Sequence, residues 1–442
     1  MPGSEKQLVG RRVLAPLEFW LQHLHELPTH GNRNLLADHV LVAHLVAFLS
    51  PALKSLRRIE SVFDHRLARQ RFGLPRVPKS TLSDAQAIFD PGLLEPIIAD
   101  LRQRVPHLPH DPKLDALLKT LTAVDGSFFR LAPRVWWALY AKPNATPRQP
   151  RQQNQHGNVR VDVHFNVLSG VPEQAILTNG RTPEYETLRT HLQPDRFYVL
   201  DRGYHSYETL GAIVAAGSDF LVRLRSDMQF EPRAELPLTP AQQSAGVQRV
   251  QLVQPLGQRA RQALGDLPLK LVTLRPPGGS ALGPSGSSSG SRDGSAPCQA
   301  DGSAPCRPDG SAPGRADGSP LRLLSNRTDL DAELFGLVYR YRWQIELFFR
   351  WLKCLVNFQH FFSEQPDGLA LQIGAAVIGT LLLALVIQDR PSSYDWAMLT
   401  HVVGGLLPLD QETLEIMAHR RTERARAAKW QKEYRARKKT AK

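Results

Sequence analysis

Three acidic residues in this 442-residue chain sit in recognisable contexts. Two directly follow apolar runs, so a fold that buries those runs must bring their carboxylates to the edge of its core, and the third lies in a helical pattern dense in Arg, Lys and aromatics. Asp125 follows Leu121-Thr-Ala-Val124, and Asp201 follows Phe197-Tyr-Val-Leu200. Short runs rich in β-branched and aromatic residues read as buried strands, so both carboxylates are expected at strand ends, with the first strand covering Thr120–Val124. Glu346 lies in Tyr339-Arg-Tyr-Arg-Trp-Gln-Ile-Glu-Leu-Phe-Phe-Arg-Trp-Leu-Lys353, where apolar residues recur at helical spacing. At about 100° per residue, Tyr339, Arg342, Glu346, Arg350 and Lys353 share one narrow stripe, while Ile345, Leu347, Phe348, Trp351, Leu352, Leu355 and Val356 fill the opposite arc. The expected element is one continuous amphipathic helix with a single carboxylate ringed by cations. On this helix alone, Arg342–Glu346 and Glu346–Arg350 ion pairs on a solvated face explain the stripe as well as a site does.

Charge narrows the partners. The chain carries 55 Lys and Arg against 42 Asp and Glu, a formal +13, which suits a polyanion. Eleven of the cations fall between Met417 and Lys442 against Glu423 and Glu433 alone, a basic end that either tracks phosphates or is merely solvated. A second basic cluster runs from Arg57 to Lys79. A third stretch, Gly126 to Val161, holds no Asp or Glu but contains Arg130, Arg134, Lys142, Arg148, Arg151 and Arg160, interleaved with Trp136, Trp137 and Tyr140. Basic residues with aromatics fit a nucleic-acid channel; the Trp pair fits a core equally well. Cys298, Cys306 and Cys354 have neither zinc-site nor disulfide-framework spacing, which fits a reducing cytoplasm. The apolar stretch Ile373–Ile387 falls short of the roughly 20 residues a bilayer span needs and is expected as a buried core helix, without a membrane.

Along the chain, residues 1–110 read as a helical domain with a basic, DNA-facing surface, with a helix opening near Ser80-Thr-Leu-Ser83. Residues 111–225 alternate strands and helices. Val159, Val161, Val163, Phe165 and Val167 alternate with polar residues, the pattern of a half-buried strand, and Gln174–Thr178 is its hairpin partner. Residues 226–322 form a β-rich insertion. Within it, 276–320 repeat Asp-Gly-Ser-Ala-Pro units starting at Asp293, Asp301 and Asp309, a composition that cannot bury a core and is expected to be disordered. Residues 323–390 carry the Glu346 helix, opened by the capping-box-like Thr328-Asp-Leu-Asp331, and 391–442 are helical and basic.

Two carboxylates at strand ends and one on a helix suit a pair of divalent cations held over a phosphodiester, since hard cations select oxygen ligands and paired cations clamp both oxygens of an in-line displacement. The residues Tyr339, Arg342, Glu346 and Lys353 have the spacing Y-x2-R-x3-E-x6-K, and the chain resembles bacterial insertion-sequence DDE transposases of the IS-four type. Asp125-Gly-Ser127 resembles the first catalytic Asp segment of that family and Asp201-Arg-Gly-Tyr204 the second, over roughly residues 80–390. The resemblance implies an α/β fold with an RNase H-like catalytic core, consistent with the order strand, hairpin, strand, helix, strand. It implies two Mg2+ or Mn2+ ions held by Asp125, Asp201 and Glu346. It further implies DNA contacts by Tyr339, Arg342, Arg350 and Lys353, and a homodimer in a synaptic complex on double-stranded transposon-end and target DNA in the bacterial cytoplasm. The implied activity is metal-dependent endonuclease cleavage and strand transfer, cut-and-paste DNA transposition. One departure is that Phe230 is the only aromatic in residues 226–322, where some relatives place the aromatic that stacks on a flipped base. A transposase-derived DNA-binding protein without catalysis is the alternative. A glycosidase with paired carboxylates fits the basic balance poorly.

Overall fold

A computed structural model of the chain describes residues 13–28, 31, 33–50, 52–107, 114, 117, 120–131, 139–140, 156–179, 181–225, 228–275, 320–350, 352–353, 361–389 and 393–440. The repeat segment, the three cysteines, Trp136 and Trp137, and the cations Arg134, Lys142, Arg148 and Arg151 lie outside these residues.

The fold is mixed α/β, built on one large sheet with helices on both faces. Its strands are β1 (Leu121–Leu131), β2 (Leu139–Tyr140), β3 (His156–Asn166), β4 (Val171–Thr178), β5 (Phe197–Leu200), β6 (Asp219–Arg223), β7 (Phe230–Leu236), β8 (Val247–Pro255), β9 (Leu269–Leu274) and β10 (Leu321–Ser325). Their order is β2-β3-β1-β5-β6-β10-β9-β8-β7, with β4 also on β3. Among the described strands, only the central pairs β1–β5 and β5–β6 are parallel. They join the segments Leu121–Val124, Phe197–Leu200 and Phe220–Val222, which bury on both faces, as parallel strands require. The β-rich insertion over 226–322 contributes β7–β9, which extend the same sheet. The reason is β10, which pairs antiparallel with β6 along one edge and with β9 along the other.

One face of the sheet packs Leu121, Ala123, Val161, Val163, Phe165, Phe197 and Val199 against helices α11 (Ala332–Tyr341), α12 (Trp343–Arg350) and α13 (Pro366–Ile387). The other face packs Val124, Tyr198, Leu200 and Phe220 against α7 (Glu184–Thr190), α8 (Tyr207–Ala215) and α10 (Gln258–Leu264). Helix α8 stops where Gly217 takes φ 73°, and the short helix α9 (Pro240–Ser244) lies between β7 and β8. The half-buried reading of β3 needs correction. Arg160, Asp162 and His164, on the polar face of β3, are 2% exposed each. Arg160 and Asp162 tolerate burial because Arg160 Nε donates to Asp162 Oδ1 at 2.8 Å and Nη2 to Oδ2 at 2.9 Å, while Nη2 also reaches Thr187 of α7.

The N-terminal helices α1 (Glu18–His25), α2 (Ala37–Leu49), α3 (Leu56–Phe63), α4 (Arg66–Phe72), α5 (Lys79–Ile88) and α6 (Glu95–Arg104) share a core with α13 through Leu371, Ala375, Ile378 and Leu382. Helix α13 has 22 residues, longer than the apolar run alone, and is long and apolar enough by length and composition to cross a membrane; here 83% of its most apolar window is buried within the fold. Helix α5 opens at Lys79, one residue before the expected Ser80, and its first N–H donates to Glu60 Oε1 of α3 at 3.0 Å rather than to a Ser or Thr cap. At α11 the expected capping box is likewise not formed: Asp331 is the N-cap and makes no side-chain cap bond. The basic end is helical through Thr440 as part of α15 (Gln411–Thr440), where Arg421 pairs with the fully buried Asp395 of α14 (Ser393–Gly404) at 3.1 Å.

Leu274 at the end of β9 is the register partner of Leu321 at the start of β10, so the repeat segment leaves and re-enters the sheet between neighbouring strands. Replacing residues 276–319 by a short Gly-containing turn is expected to leave the melting temperature unchanged or higher, because each halving of a loop saves about 0.6 kcal/mol of closure entropy. A lower melting temperature in a thermal scan would show that the segment packs on the fold.

Candidate active site

The parallel register of β1 and β5 places two of the three acids. Leu121, Thr122 and Ala123 pair with Phe197, Tyr198 and Val199, and there the pairing ends. Asp125 and Asp201 each stand two residues beyond that last rung. By the two-residue alternation they share a face with Ala123 and Val199, the face covered by α11–α13. Asp201 follows the last residue of β5, as expected. Asp125 does not end its strand: β1 runs on to Leu131, because β3 continues to pair with it through Asp125↔Val163 to Leu131↔Gly157. The sheet thus ends at Ala123 on the β5 side and continues on the β3 side, which leaves Asp125 bordering a notch. Gly126 N–H donates to Asp125 Oδ1 at 2.9 Å, and Asp201 caps a 3-10 turn (Arg202–Tyr204) by accepting from Gly203 N–H.

The third acid arrives on α12. Ile345, Phe348 and Phe349 bury against the sheet, and this anchors the opposite side of the helix at the notch. The continuous helix expected over 339–353 is interrupted. Residues 332–341 and 343–350 are separate helices joined at Arg342, where i→i−3 bonds (Arg342 N to Tyr339 O, 3.2 Å; Ile345 N to Arg342 O, 3.1 Å) tighten the turn. Arg342 is 9% exposed. Its guanidinium donates to Glu346, lies 4.0 Å from Asp125 Oδ2 and stacks 5.6 Å from the Tyr339 ring centre. It therefore bridges an acid from the sheet and an acid from the helix. Lys353 lies beyond the end of α12, with Nζ 4.9 Å from the Phe129 ring centre of β1. Arg350 is exposed at the end of α12, outside the Asp125–Arg342–Glu346 contact.

Burial governs the electrostatics, with Arg342 opposing it and the neighbouring acids adding to it. Burial pushes the Asp125 carboxyl up to about 7; Arg342 opposes this, while Glu184, Glu346 and Asp201 reinforce it. Burial also raises Glu346, again against Arg342. Burial would lower the Arg342 guanidinium, but Tyr339, Glu346, Asp125 and Asp201 outweigh burial and hold it above its ordinary value. Glu184, in the first turn of α7, was not picked out by sequence reasoning. Nothing marks it beyond a helix start at Thr182-Pro-Glu184, since it enters the notch from the other face of the sheet.

All the acids at the notch offer carboxylate oxygens, the donors that Mg2+ and Mn2+ select. Their arrangement is open: among the described residues, the side chains gathered with ligand atoms within 4.8 Å of one another are His25, Asp38 and His39. That triad is closed by its own hydrogen bonds. Leu36 N–H donates to His39 Nδ1 at 3.2 Å, which leaves the ring proton on Nε2 facing Asp38 Oδ2 at 3.6 Å, and His25 Nδ1 lies 3.0 Å from the same oxygen. At the notch, Arg342 stands between Asp125 and Glu346.

Gly126 is required by close approach. A Cβ there would sit 2.6 Å from Asp162 Oδ1, an atom locked by Arg160. Gly126→Ala is expected to cost about 2 kcal/mol, the usual range for overpacking a rigid site. Gly203→Ala, with its nearest atom at 3.2 Å, should cost less. Denaturation midpoints of the two variants check this; equal midpoints would contradict it.

The family described as "Transposase DDE domain" matches residues 117–382, well over half of the chain. The chain belongs to the DDE transposase family. "Putative transposase y4zB" of Sinorhizobium fredii (strain NBRC 101917 / NGR234) is 22% identical over 228 residues, 51% of this chain and 53% of that protein, so the chain spans about half the length of this curated relative. The cryo-EM structure of a piggyBac transposase synaptic complex with hairpin DNA aligns with 94% of this chain and 82% of its own at 11% identity, with a TM-score of 0.36. The DDE-domain match begins just before β1, ends within α13, and so encloses Asp125, Asp201 and Glu346.

Proposed function

We propose that this chain is a cut-and-paste transposase of the IS-four type, which breaks and joins DNA strands at the ends of an insertion sequence. The observation that carries the reading is the notch itself: Asp125, Asp201 and Glu346 come from a strand, a strand end and a helix, and Arg342 ties two of them together. A central β1–β5–β6 parallel set with β3 and β4 added antiparallel supports an RNase H-like catalytic core. Asp125, Asp201 and Glu346 are the residues that would hold Mg2+ or Mn2+, two ions per site. When bound, the ions supply a metal-activated nucleophile and charge stabilisation at the attacking and leaving oxygens. Arg342 holds the Glu346 carboxylate in place and offers a planar fork to a phosphate, Lys353 offers a point charge, and Tyr339 orients the guanidinium by stacking. Arg350, exposed on the same helix, meets the DNA backbone further out. The partners are double-stranded transposon-end and target DNA, and a second copy of the chain in a synaptic complex, in the bacterial cytoplasm.

The test is cleavage of DNA spanning the gene's own flanking ends with Mg2+ or Mn2+. Discrete nicks at the ends are the expected result. A gel shift with no cut under either metal would replace this reading with a DNA-binding protein that has lost catalysis.

A further inference from the structure

The Arg160–Asp162 pair, buried beneath β3 with both side chains 3% exposed, does more than neutralise itself. Arg160 Nη1 donates to Thr182 O at 2.5 Å and Nη2 to Thr187 Oγ1 at 3.1 Å, which pins the entry and first turn of α7. Glu184 lies between those two anchors. Its carboxylate is carried to the backbones that bear the two aspartates: a Cβ on Gly126 would meet Glu184 Oε1 at 3.1 Å, and a Cβ on Gly203 would meet Glu184 Oε2 at 3.7 Å and Asp201 Oδ1 at 3.2 Å. One oxygen therefore abuts the residue after Asp125, and the other flanks the same point as the Asp201 carboxylate. The hydrogen bonds of Arg160 go to Asp162, Thr182 and Thr187, so the cation beneath Glu184 holds its backbone and not its carboxylate. Tyr204, which follows Gly203, is 1% exposed, and its buried hydroxyl has no hydrogen-bond partner; Glu184 and Asp125 head the charges acting on it. A buried hydroxyl without a partner, and an acid whose nearby cation Arg160 gives its hydrogen bonds to other groups, both beside the notch, are polar groups that the folded chain leaves to something else.

We propose that Glu184 is a fourth acidic residue of the divalent-cation site, entering from the α7 face of the sheet while Glu346 enters from the α12 face. The inference rests on the cation site proposed above and adds to it a residue that the three-acid pattern does not contain. Glu184 supplies charge and acceptor oxygens that retain the cation between the two aspartate loops, and the Arg160–Asp162 pair sets its reach.

The experiment is Mn2+ binding by the full chain without DNA, read by electron paramagnetic resonance of free Mn2+, with melting temperature and end-DNA binding measured in parallel. Glu184→Gln is expected to weaken Mn2+ binding about tenfold or more, the range for groups supporting a metal site, with melting temperature and DNA binding unchanged. Parent-like Mn2+ affinity in Glu184→Gln, together with loss of binding in Asp125→Asn, would overturn the role of Glu184 and leave the three-acid site standing. No Mn2+ binding by the parent chain would overturn both. If Glu184→Gln does not fold, Glu184→Asp decides: a purely structural role predicts parent affinity in the folded variant, whereas the proposed role predicts several-fold weaker binding because the charge retreats by one methylene.

Discussion

Asp125→Asn is expected to lower strand cleavage at the transposon ends by about 10^2- to 10^3-fold, the cost of losing one preorganised electrostatic group, while end-DNA binding stays equal or becomes slightly tighter. The asymmetry follows from what the substitution changes. Asn keeps the volume and one side-chain oxygen to accept from Gly126 N–H, so β1 and its register with β3 have no reason to move. It removes one negative charge from a notch where Glu184, Glu346 and Asp201 already crowd Asp125, which eases the approach of a phosphate. It also removes a charged ligand for which a neutral amide is a poor substitute. Asp201→Asn and Glu346→Gln should fall by similar factors, and the double variant Asp125→Asn/Glu346→Gln by little more than either alone, since residues that act as a unit are not additive. The readout is nicking of labelled end DNA with Mn2+, paired with a gel shift on the same DNA. Near-full cleavage by any one of the three would remove that residue from the site. Loss of binding together with cleavage would mean that the substitution disturbed the fold.

These three acids were legible because each ends or interrupts an apolar segment, and that junction is a local property of the chain. The rest depended on partners distant in sequence. Nothing within Leu121–Leu131 says that β1 continues past Asp125; that follows from β3, some 35 residues on, which pairs with it to its last residue. The alternation in β3 correctly placed Val159, Val161, Val163 and Phe165 in the core. It misjudged Arg160 and Asp162, because a salt bridge with its hydrogen bonds completed lets charged residues sit where the pattern predicts solvent. Glu184 was invisible for the same reason: its significance lies in how α7 is pinned across the sheet, and in sequence it is one helix-start acid among many. The Tyr339–Lys353 stripe survived only in part. The tightened turn at Arg342 brings Arg342 and Glu346 together, while Arg350 remains outside on the exposed end of α12.

The same bridge predicts how stability should depend on pH. In the metal-free chain the folded Asp125 carboxyl is pushed up to about 7, mainly by burial, well above its ordinary value. A carboxyl raised in this way contributes stability that is fully present below its unfolded pKa and is lost as pH rises through the folded value. The parent chain should therefore lose stability between about pH 4 and pH 7, at up to about 1.4 kcal/mol per pH unit for one proton. Arg342 limits that loss, because its guanidinium lowers both Asp125 and Glu346. Arg342→Ala removes the opposing charge, so both acids should hold their protons to higher pH and the variant should fall more steeply. Near pH 5, where Asp125 is largely protonated, the variant should lie closer to the parent. Near pH 8 the gap should reach about 3 kcal/mol, the cost of leaving buried carboxylates without their partner. Side-chain exposures of 25% at Asp125 and 28% at Glu346 keep the expectation at the lower end of that range. Melting curves of parent and Arg342→Ala at pH 5, 6.5 and 8, in chelator, decide the matter. A gap that stays constant across the three would mean that Arg342 acts through packing on Tyr339 alone. A gap that widens with pH, and narrows again when Asp125→Asn is added, would place the charge between Asp125 and Glu346 at the centre of the effect.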